Sequence, residues 1–315
     1  MAEPGRPVKD IEIDADSSVE KIISELSQSG GFESVNLSDG VGILSSMISD
    51  KKCLRFVSFV AAVLSTGLRG IIRDMIKNRW FDVAITTCGA LDHDIARYFS
   101  NYKEGSFTMD DGELVDQNMH RLGNVLVPLE SYGPLIEEKI QSFLEEEYQN
   151  GVREMSTFDI CSMIGKHMGE SSFLYWAHKN DVKVIVPGIV DGAVGSQIWM
   201  FIQKHRDFKL DLIKDSDLLS GLIFKAERSG ALMVGGGISK HHTLWWNQYR
   251  EGLDYAFYIT TAQEFDGSLS GAPVREAVSW GKVTQNAKQA TLHAEATTIL
   301  PFIYAAVASR LKSRQ

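Results

Sequence analysis

Four times along this 315-residue chain, a stretch of helical character runs into a short apolar strand and then into a loop of small residues. The first unit is 68–78 into Phe81–Thr87 (FDVAITT), closed by Cys88-Gly89-Ala90. The second is 173–180 into 182–189 (VKVIVPGI) and Val190-Asp191-Gly192. The third is 218–229 into 231–234 and Gly235-Gly236-Gly237, and the fourth is 245–251 into 255–259 and Thr260-Thr261-Ala262. Strands that are apolar throughout are buried on both faces, and strand alternating with helix implies a parallel sheet covered by helices. The fold class is therefore α/β. Ligands of such sheets collect at the carboxyl ends of the strands, so the loops at 87–94, 188–196, 235–242 and 260–271 are expected to share one mouth.

Other stretches are less demanding. A short helix is expected over 18–27, where Ser17 with Glu20 has capping-box form. Residues 135–148 read as an amphipathic helix with five glutamates mostly on its outer side. The polar run 100–124 reads as a long excursion of the functional or interfacial kind. Residues 1–18 are polar, lack the apolar core of a signal peptide, and are expected to form a flexible tail ahead of one large domain over 19–315.

Charge and composition exclude several classes. The net charge is -9 with no cluster of Lys and Arg, which argues against nucleic acid as a partner and leaves room for cationic substrates. The longest nearly apolar run, 56–68, is far short of the ~20 residues that span a bilayer, so no membrane segment is expected. Cys53, Cys88 and Cys161 are too scattered for a disulfide framework or a zinc knuckle, which fits a reducing, cytoplasmic setting.

Neither common nucleotide fingerprint is present. The triplet Gly235–Gly237 nevertheless stands where a strand gives way to a helix, so it reads either as a place where phosphate reaches backbone amides or as a tight turn. His241 and His242 are sequence neighbours that point about 100 degrees apart on a helix, so they form no metal site by themselves. His293-Ala294-Glu295 matches half of the zinc deaminase signature but has no PCxxC partner. No metal is expected. The densest stretch is Asp254–Lys282, where Trp280 stands two residues before Lys282 among Glu264, Asp266 and Glu276. Lys282 reads either as a surface lysine after a turn or as an amine nucleophile, because an aromatic wall desolvates an ammonium and exposes its lone pair. Trp280 could equally face a substrate ammonium, with Glu276 or Asp266 as counter-ion.

The strings GGGISKHH (Gly235–His242), TAQEFDGSLSGA (Thr261–Ala272) and EAVSWGK (Glu276–Lys282) resemble deoxyhypusine synthase. Supporting similarity extends through LSTGLRG, TTCGALDHDIARYF, RLGNVLVP and PGIVDGAVGS, from about Arg55 to the C-terminus, with an archaeal flavour. The resemblance implies a homotetramer of Rossmann-like α/β subunits, with NAD and spermidine held between paired subunits. Hydride would pass from spermidine to NAD, Lys282 would capture the aminobutyl group as an imine, and 1,3-diaminopropane would leave. The group would then pass to one lysine of the translation initiation factor 5A precursor and be reduced.

Position by position, the resemblance implies NAD contacts from Ser65, Thr87, Cys88, Gly89, Asp191, Gly236, Thr261, Ala262, Asp266, Glu295 and Ala296. Asp92, His93, His241, Gly267, Ser268, Glu276 and Trp280 would form the polyamine site. Lys282 would be the nucleophile and His241 a proton acceptor near it. Where eukaryotic members place acids against the polyamine, this chain has His93, Ser196 and Leu269, with Asp92 keeping an acid at one such place. A homospermidine synthase-like transferase acting on putrescine, and an NAD-binding relative without turnover, are the competing readings.

Overall fold

In a computed structural model of the chain, Gly5 and residues 7–313 are described. The part of the expected tail at residues 1–4 and 6 lies outside them. The chain forms two compact units, one from residues 1–57 and 223–315 and the other from residues 58–222. It enters the first with α1 (Val19–Leu26) and α2 (Phe32–Ser49) and leaves within β1 (Cys53–Phe59). The second unit continues with α3 (Ala62–Ser65), α4 (Leu68–Lys77), β2 (Val83–Ile85), α5 (Cys88–Phe99), β3 (Lys103–Glu104) and α6 (Asp111–Asp116). There follow β4 (Met119–Leu122), β5 (Val125–Pro128), α7 (Leu129–Gln149), β6 (Glu154–Met155), α8 (Thr157–Lys166) and α9 (Phe173–Asn180). Then come β7 (Lys183–Ile185), α10 (Ala193–Lys204), β8 (Lys209–Leu210) and α11 (Ile213–Ile223). The chain returns to the first unit with β9 (Arg228–Val234), α12 (Gly237–Asn247), β10 (Leu253–Thr260), β11 (Val283–His293) and α13 (Ala296–Lys312).

In the first unit, β9, β10 and β11 run parallel, with Phe257 opposite Leu232 on one side and Ala290 on the other. Nearly every residue of β9 and most of β10 is buried, because α2 packs across β10 and β11 while α12 packs on β9. Each large apolar side chain so covered stabilises the fold by about 1.5–3 kcal/mol. In the second unit β2 and β7 pair in parallel from Val83–Lys183 to Ile85–Ile185. This is the α/β class, with parallel strands flanked by helices, that the apolar strand pattern implies.

Local chemistry moved several boundaries. Strand β7 stops at Ile185, short of the expected Ile189, because the Val186 amide donates to Thr157 Oγ1 at 2.9 Å and Pro187 has no amide to offer. Ser18, not Ser17, caps α1 by accepting from the Lys21 amide at 3.1 Å, while Ser17 bonds Asp14. The helix of the third helix-strand repeat ends at Ile223 instead of Ser229, whose amide donates to Asp254 on the neighbouring strand β10. The fourth helix begins at Gly237, eight residues before the expected start. The excursion at 100–124 supplies β3 and β4 to a small antiparallel sheet, in the order β3-β5-β4, whose central strand follows just beyond it.

Candidate active site

The first unit builds a site along α12. Its start lies where β9 ends, and the Gly235 amide donates to the Ile259 carbonyl of β10 at 2.9 Å. The following loop is drawn onto the sheet by Ser270, whose carbonyl accepts from Tyr258 Oη at 2.6 Å and from Thr260 Oγ1 at 3.1 Å. Gly236 is required by this closure, since a Cβ there would lie 2.2 Å from Ser270 Oγ and 2.5 Å from its Cα. Thr261, Ala262, Asp266, Gly267 and Ser268 belong to the same loop, and Glu295 and Ala296 follow β11. All of these stand at carboxyl ends of parallel strands.

Two residues of that rim have defined electrostatics. Asp266 is held below the usual carboxylate range by hydrogen bonds from Ser268, whose amide donates to it at 2.7 Å. Burial raises Glu295, but hydrogen bonds from Thr297 and Thr298 outweigh it and leave the carboxyl below its ordinary value. Glu295 thereby caps α13, accepting from the Thr297 amide at 2.8 Å and the Thr298 amide at 2.9 Å. No side chain caps the N-terminus of α12.

Along α12 away from this rim lies a cavity of about 330 Å³. Lys240, His241, Trp245, Glu276, Trp280 and Lys282 contribute its polar and aromatic lining, and Leu244 and Leu269 add apolar wall. The turn at Val274–Val278 presents Glu276, and the chain then folds back so that the Lys282 amide donates to the Ala277 carbonyl at 3.0 Å. Lys282 immediately precedes β11 and its carbonyl accepts from the Leu253 amide at the start of β10. It therefore sits at the amino end of the strands, opposite the rim. Its Nζ lies 5.4 Å from the ring centre of Trp245 and 5.3 Å from that of Trp280.

The two histidines diverge. His241 lines the cavity and stacks on Trp245 at 5.8 Å and 26°. Burial, aided by the Lys282 ammonium, holds its imidazole below the ordinary value, which favours the neutral ring, the form able to accept a proton. His242 accepts from Trp246 Nε1 at 3.1 Å and is pushed down to about 4 by burial. Lys240 is 1% exposed and donates to the Leu269 and Ala272 carbonyls at 2.8 and 2.6 Å, with the Tyr258 ring 3.7 Å away. Burial lowers it to about 8, against a smaller upward pull from Glu276.

The second unit holds another cluster at the start of α5. Thr87 precedes the helix, Cys88 and Gly89 open it, and Ser65 ends α3, which packs on α5. Asp92 is 1% exposed and fully engaged. It accepts from the Ala193 and Val194 amides at 3.0 and 2.9 Å and from Tyr132 Oη at 2.8 Å, with Cys88 Sγ at 3.9 Å. Burial raises its carboxyl and these bonds oppose the rise. Gly192 must be bare, because a Cβ would come within 2.6 Å of Cys88 Sγ and 2.9 Å of Asp92 Oδ2. Asp191 and Ser196 flank this turn and are exposed. His93 is pushed down to about 4, by burial and then by Arg97, and shares a 2.8 Å hydrogen bond with Tyr102 Oη. A neutral ring of this kind is no counter-ion for a cation. Burial, then Asp92, drives the Cys88 thiol far above its ordinary value, so it is inert as a nucleophile.

The four expected loops thus meet in pairs, each pair within its own unit. Among the described residues, the one His and carboxylate group with metal-ligand spacing is Glu146, Glu147 and His167, where Lys166 already bonds both glutamates at 3.1 and 3.0 Å.

A family model for deoxyhypusine synthase matches residues 21–307. The chain belongs to the deoxyhypusine synthase family. Its relatives include a "Probable deoxyhypusine synthase" of Thermoplasma volcanium, 51% identical over 301 residues and covering 95% of this chain and 96% of that one. A protein of the same description from Ignicoccus hospitalis is 43% identical over 312 residues, covering 97% of each. The solved structure of an Entamoeba histolytica protein assigned as a deoxyhypusine synthase aligns with TM-score 0.64 at 18% identity, covering 96% of this chain and 97% of that one, and supports the fold. Membership of the deoxyhypusine synthase family implies a transferase. No helix among the described residues is long and apolar enough to cross a membrane.

Within this deoxyhypusine synthase family member, Lys282, His241, Glu276 and Trp280 come together around one cavity, although 35 residues separate His241 from Glu276 in sequence. Sequence reasoning missed Lys240 and Trp245 in the first unit and Tyr102 and Tyr132 in the second. Trp245 was findable in principle, since it stands four residues after His241 on the same helix face.

Proposed function

We propose that this chain is a deoxyhypusine synthase: it transfers the 4-aminobutyl group of spermidine, through an imine on Lys282, to one lysine of the translation initiation factor 5A precursor, with release of 1,3-diaminopropane. The observation that carries the reading is the Lys282 amine set between two indoles in a cavity with a neutral histidine and a carboxylate.

NAD fits the rim chemically: α12 starts without a side-chain cap, and Glu295, an exposed acid that caps α13, stands after β11 as a candidate for ribose hydroxyls. Gly236, Thr261, Ala262, Asp266, Glu295 and Ala296 would hold it from the first unit, and Ser65, Thr87, Cys88, Gly89 and Asp191 are the contacts proposed from the second. When bound, it supplies the acceptor for the hydride taken from the carbon beside the secondary amine of spermidine, and later returns that hydride.

The chain's own residues do the rest. His241 takes the proton that Lys282 must shed. The freed amine adds to the oxidised carbon, the bond from that carbon to the nitrogen of 1,3-diaminopropane breaks, and the departing amine leaves with a proton. The acceptor lysine then displaces Lys282 by the same exchange. Glu276 pairs with a substrate ammonium and Trp280 covers the chain. Gly267, Ser268 and His93 are proposed to border the polyamine, and Asp92 enters as the residue that fixes the Asp191–Ala193 turn. A homotetramer in the cytoplasm completes the reading, as the resemblance implies.

The test is product analysis. Incubation with NAD, spermidine and the factor precursor is expected to add one aminobutyl mass to a single lysine of the precursor, and putrescine supplied instead is expected to yield little homospermidine. An unmodified precursor beside an active control enzyme overturns the proposal.

A further inference from the structure

Trp245 belongs to no motif that carried the family resemblance, yet it forms half of the aromatic enclosure at Lys282. The cavity's titratable groups are Lys240, Lys282, His241 and Glu276. The ammonium of Lys240 is already satisfied by two carbonyls, and His241 is neutral. Of the residues this chain places around the cavity, one carboxylate, Glu276, is therefore left to meet an incoming polycation, beside two lysines of the same sign as the ligand. Burying a second ammonium there without a partner would cost several kcal/mol. What the cavity offers in place of a second acid is π surface.

The two indoles are suited to that task. Trp245 and Trp280 come from different elements, α12 and the turn before β11, and their ring centres lie at nearly equal distance from Lys282 Nζ, 5.4 and 5.3 Å. Both distances fall inside the ~6 Å range of cation–π attraction. Trp245 is also oriented: His241 stacks on it at 26°, and Tyr249 meets it edge-on at 86° and 6.5 Å. Residues 241, 245 and 249 are spaced by four, the first two on α12 and the third on the turn that continues it, so neighbours on either side hold the ring in place. With Trp245 42% exposed and Trp280 67% exposed, both rings keep surface that a ligand beside Lys282 can reach.

We infer that Trp245 is a substrate-binding residue of this site: with Trp280 it forms a two-indole clamp that takes the charge of an alkylammonium group where the cavity lacks a second carboxylate. The inference rests on the proposed polyamine reading and deepens it by naming the group recognised, a cation that need donate no hydrogen bond.

The test separates the two ideas by using probes that require no turnover. Choline and its uncharged carbon isostere 3,3-dimethylbutan-1-ol are titrated into the full-length protein and followed by NMR. Wild type is expected to bind choline about tenfold more tightly than the alcohol, a gap of about 1.4 kcal/mol. Trp245→Phe keeps most of the gap, whereas Trp245→Leu reduces it below about twofold and raises the spermidine KM about tenfold with kcat changed less than threefold. A gap that survives in Trp245→Leu, a wild type with no gap, or a Trp245→Leu variant that loses kcat at unchanged KM overturns the clamp. A change in the assembled mass of Trp245→Leu with ligand preference intact does so as well, by assigning the ring to subunit contact. If wild type forms no borohydride-trapped adduct on Lys282 with NAD and spermidine, the proposed function fails while the choline comparison still reads the clamp.

Discussion

Lys240 Nζ donates to the Leu269 carbonyl at 2.8 Å, so the leucine that walls the cavity is suspended from a buried ammonium on the facing helix. The same ammonium holds Ala272. Lys240→Met leaves both carbonyls without this donor, and the cost is expected to be about 3 kcal/mol of unfolding free energy. Urea denaturation checks the stability, and the spermidine KM is expected to rise as the wall shifts. A variant as stable as wild type would show that the two hydrogen bonds contribute nothing net.

Lys282→Ala is expected to abolish transfer and the borohydride-trapped adduct while leaving NAD affinity within about twofold, because Lys282 stands at the amino end of β11 and the proposed cofactor rim at the other. Isothermal titration with NAD and mass spectrometry of the precursor check the two halves. Retained transfer would sink the nucleophile assignment.

The pH behaviour of His241 follows from its two causes. Burial comes first and the Lys282 ammonium second, and both lower the imidazole from 6.5. The neutral, proton-accepting form therefore persists as pH falls below 6.5, and the acidic limb of kcat/KM is expected below that value. Lys282→Met removes one positive neighbour, so the His241 titration followed by NMR on labelled histidine should move upward. A downward move would contradict the assigned cause. His241→Ala is expected to cut kcat by about 10²–10⁴, the usual worth of a positioned proton acceptor.

Gly236→Ala places a Cβ 2.2 Å from Ser270 Oγ and 2.5 Å from Ser270 Cα. Because the second contact is with backbone, Ser270→Gly is expected to restore little in the double variant. The measurement is NAD affinity, predicted to fall more than tenfold in both, with the melting temperature lowered. Normal affinity in Gly236→Ala would remove this loop from the cofactor site.

What was legible in the sequence was what burial writes in apolar letters. The strands around Val83, Val184, Met233 and Phe257 were visible because both of their faces are covered. Helix α2 was not, since FESVNLSDGVGILSSMIS carries serines on its buried side; Ser45 and Ser46 reconcile that by donating to the Val41 and Gly42 carbonyls at 2.7 and 2.8 Å. Strand β11 was hidden because it is the edge of its sheet, with polar residues at Gln285 and Asn286 left exposed. Lys282 and His241 were readable as motif, whereas Trp245 could be reached only through its spacing of four from His241, on a helix that starts at Gly237 instead of eight residues later.

Positions 92 and 93 are chain neighbours under different law. The Asp92 carboxylate ties together a thiol, a phenol and the opening amides of α10, whereas His93 shares its hydrogen bond with a single tyrosine. Anyone redesigning this family member for the proposed polyamine or another amine can therefore treat position 93 as a dial and must treat position 92 as masonry. A library that randomises both together would discard tolerated side chains at 93 along with every clone whose α10 has come unseated.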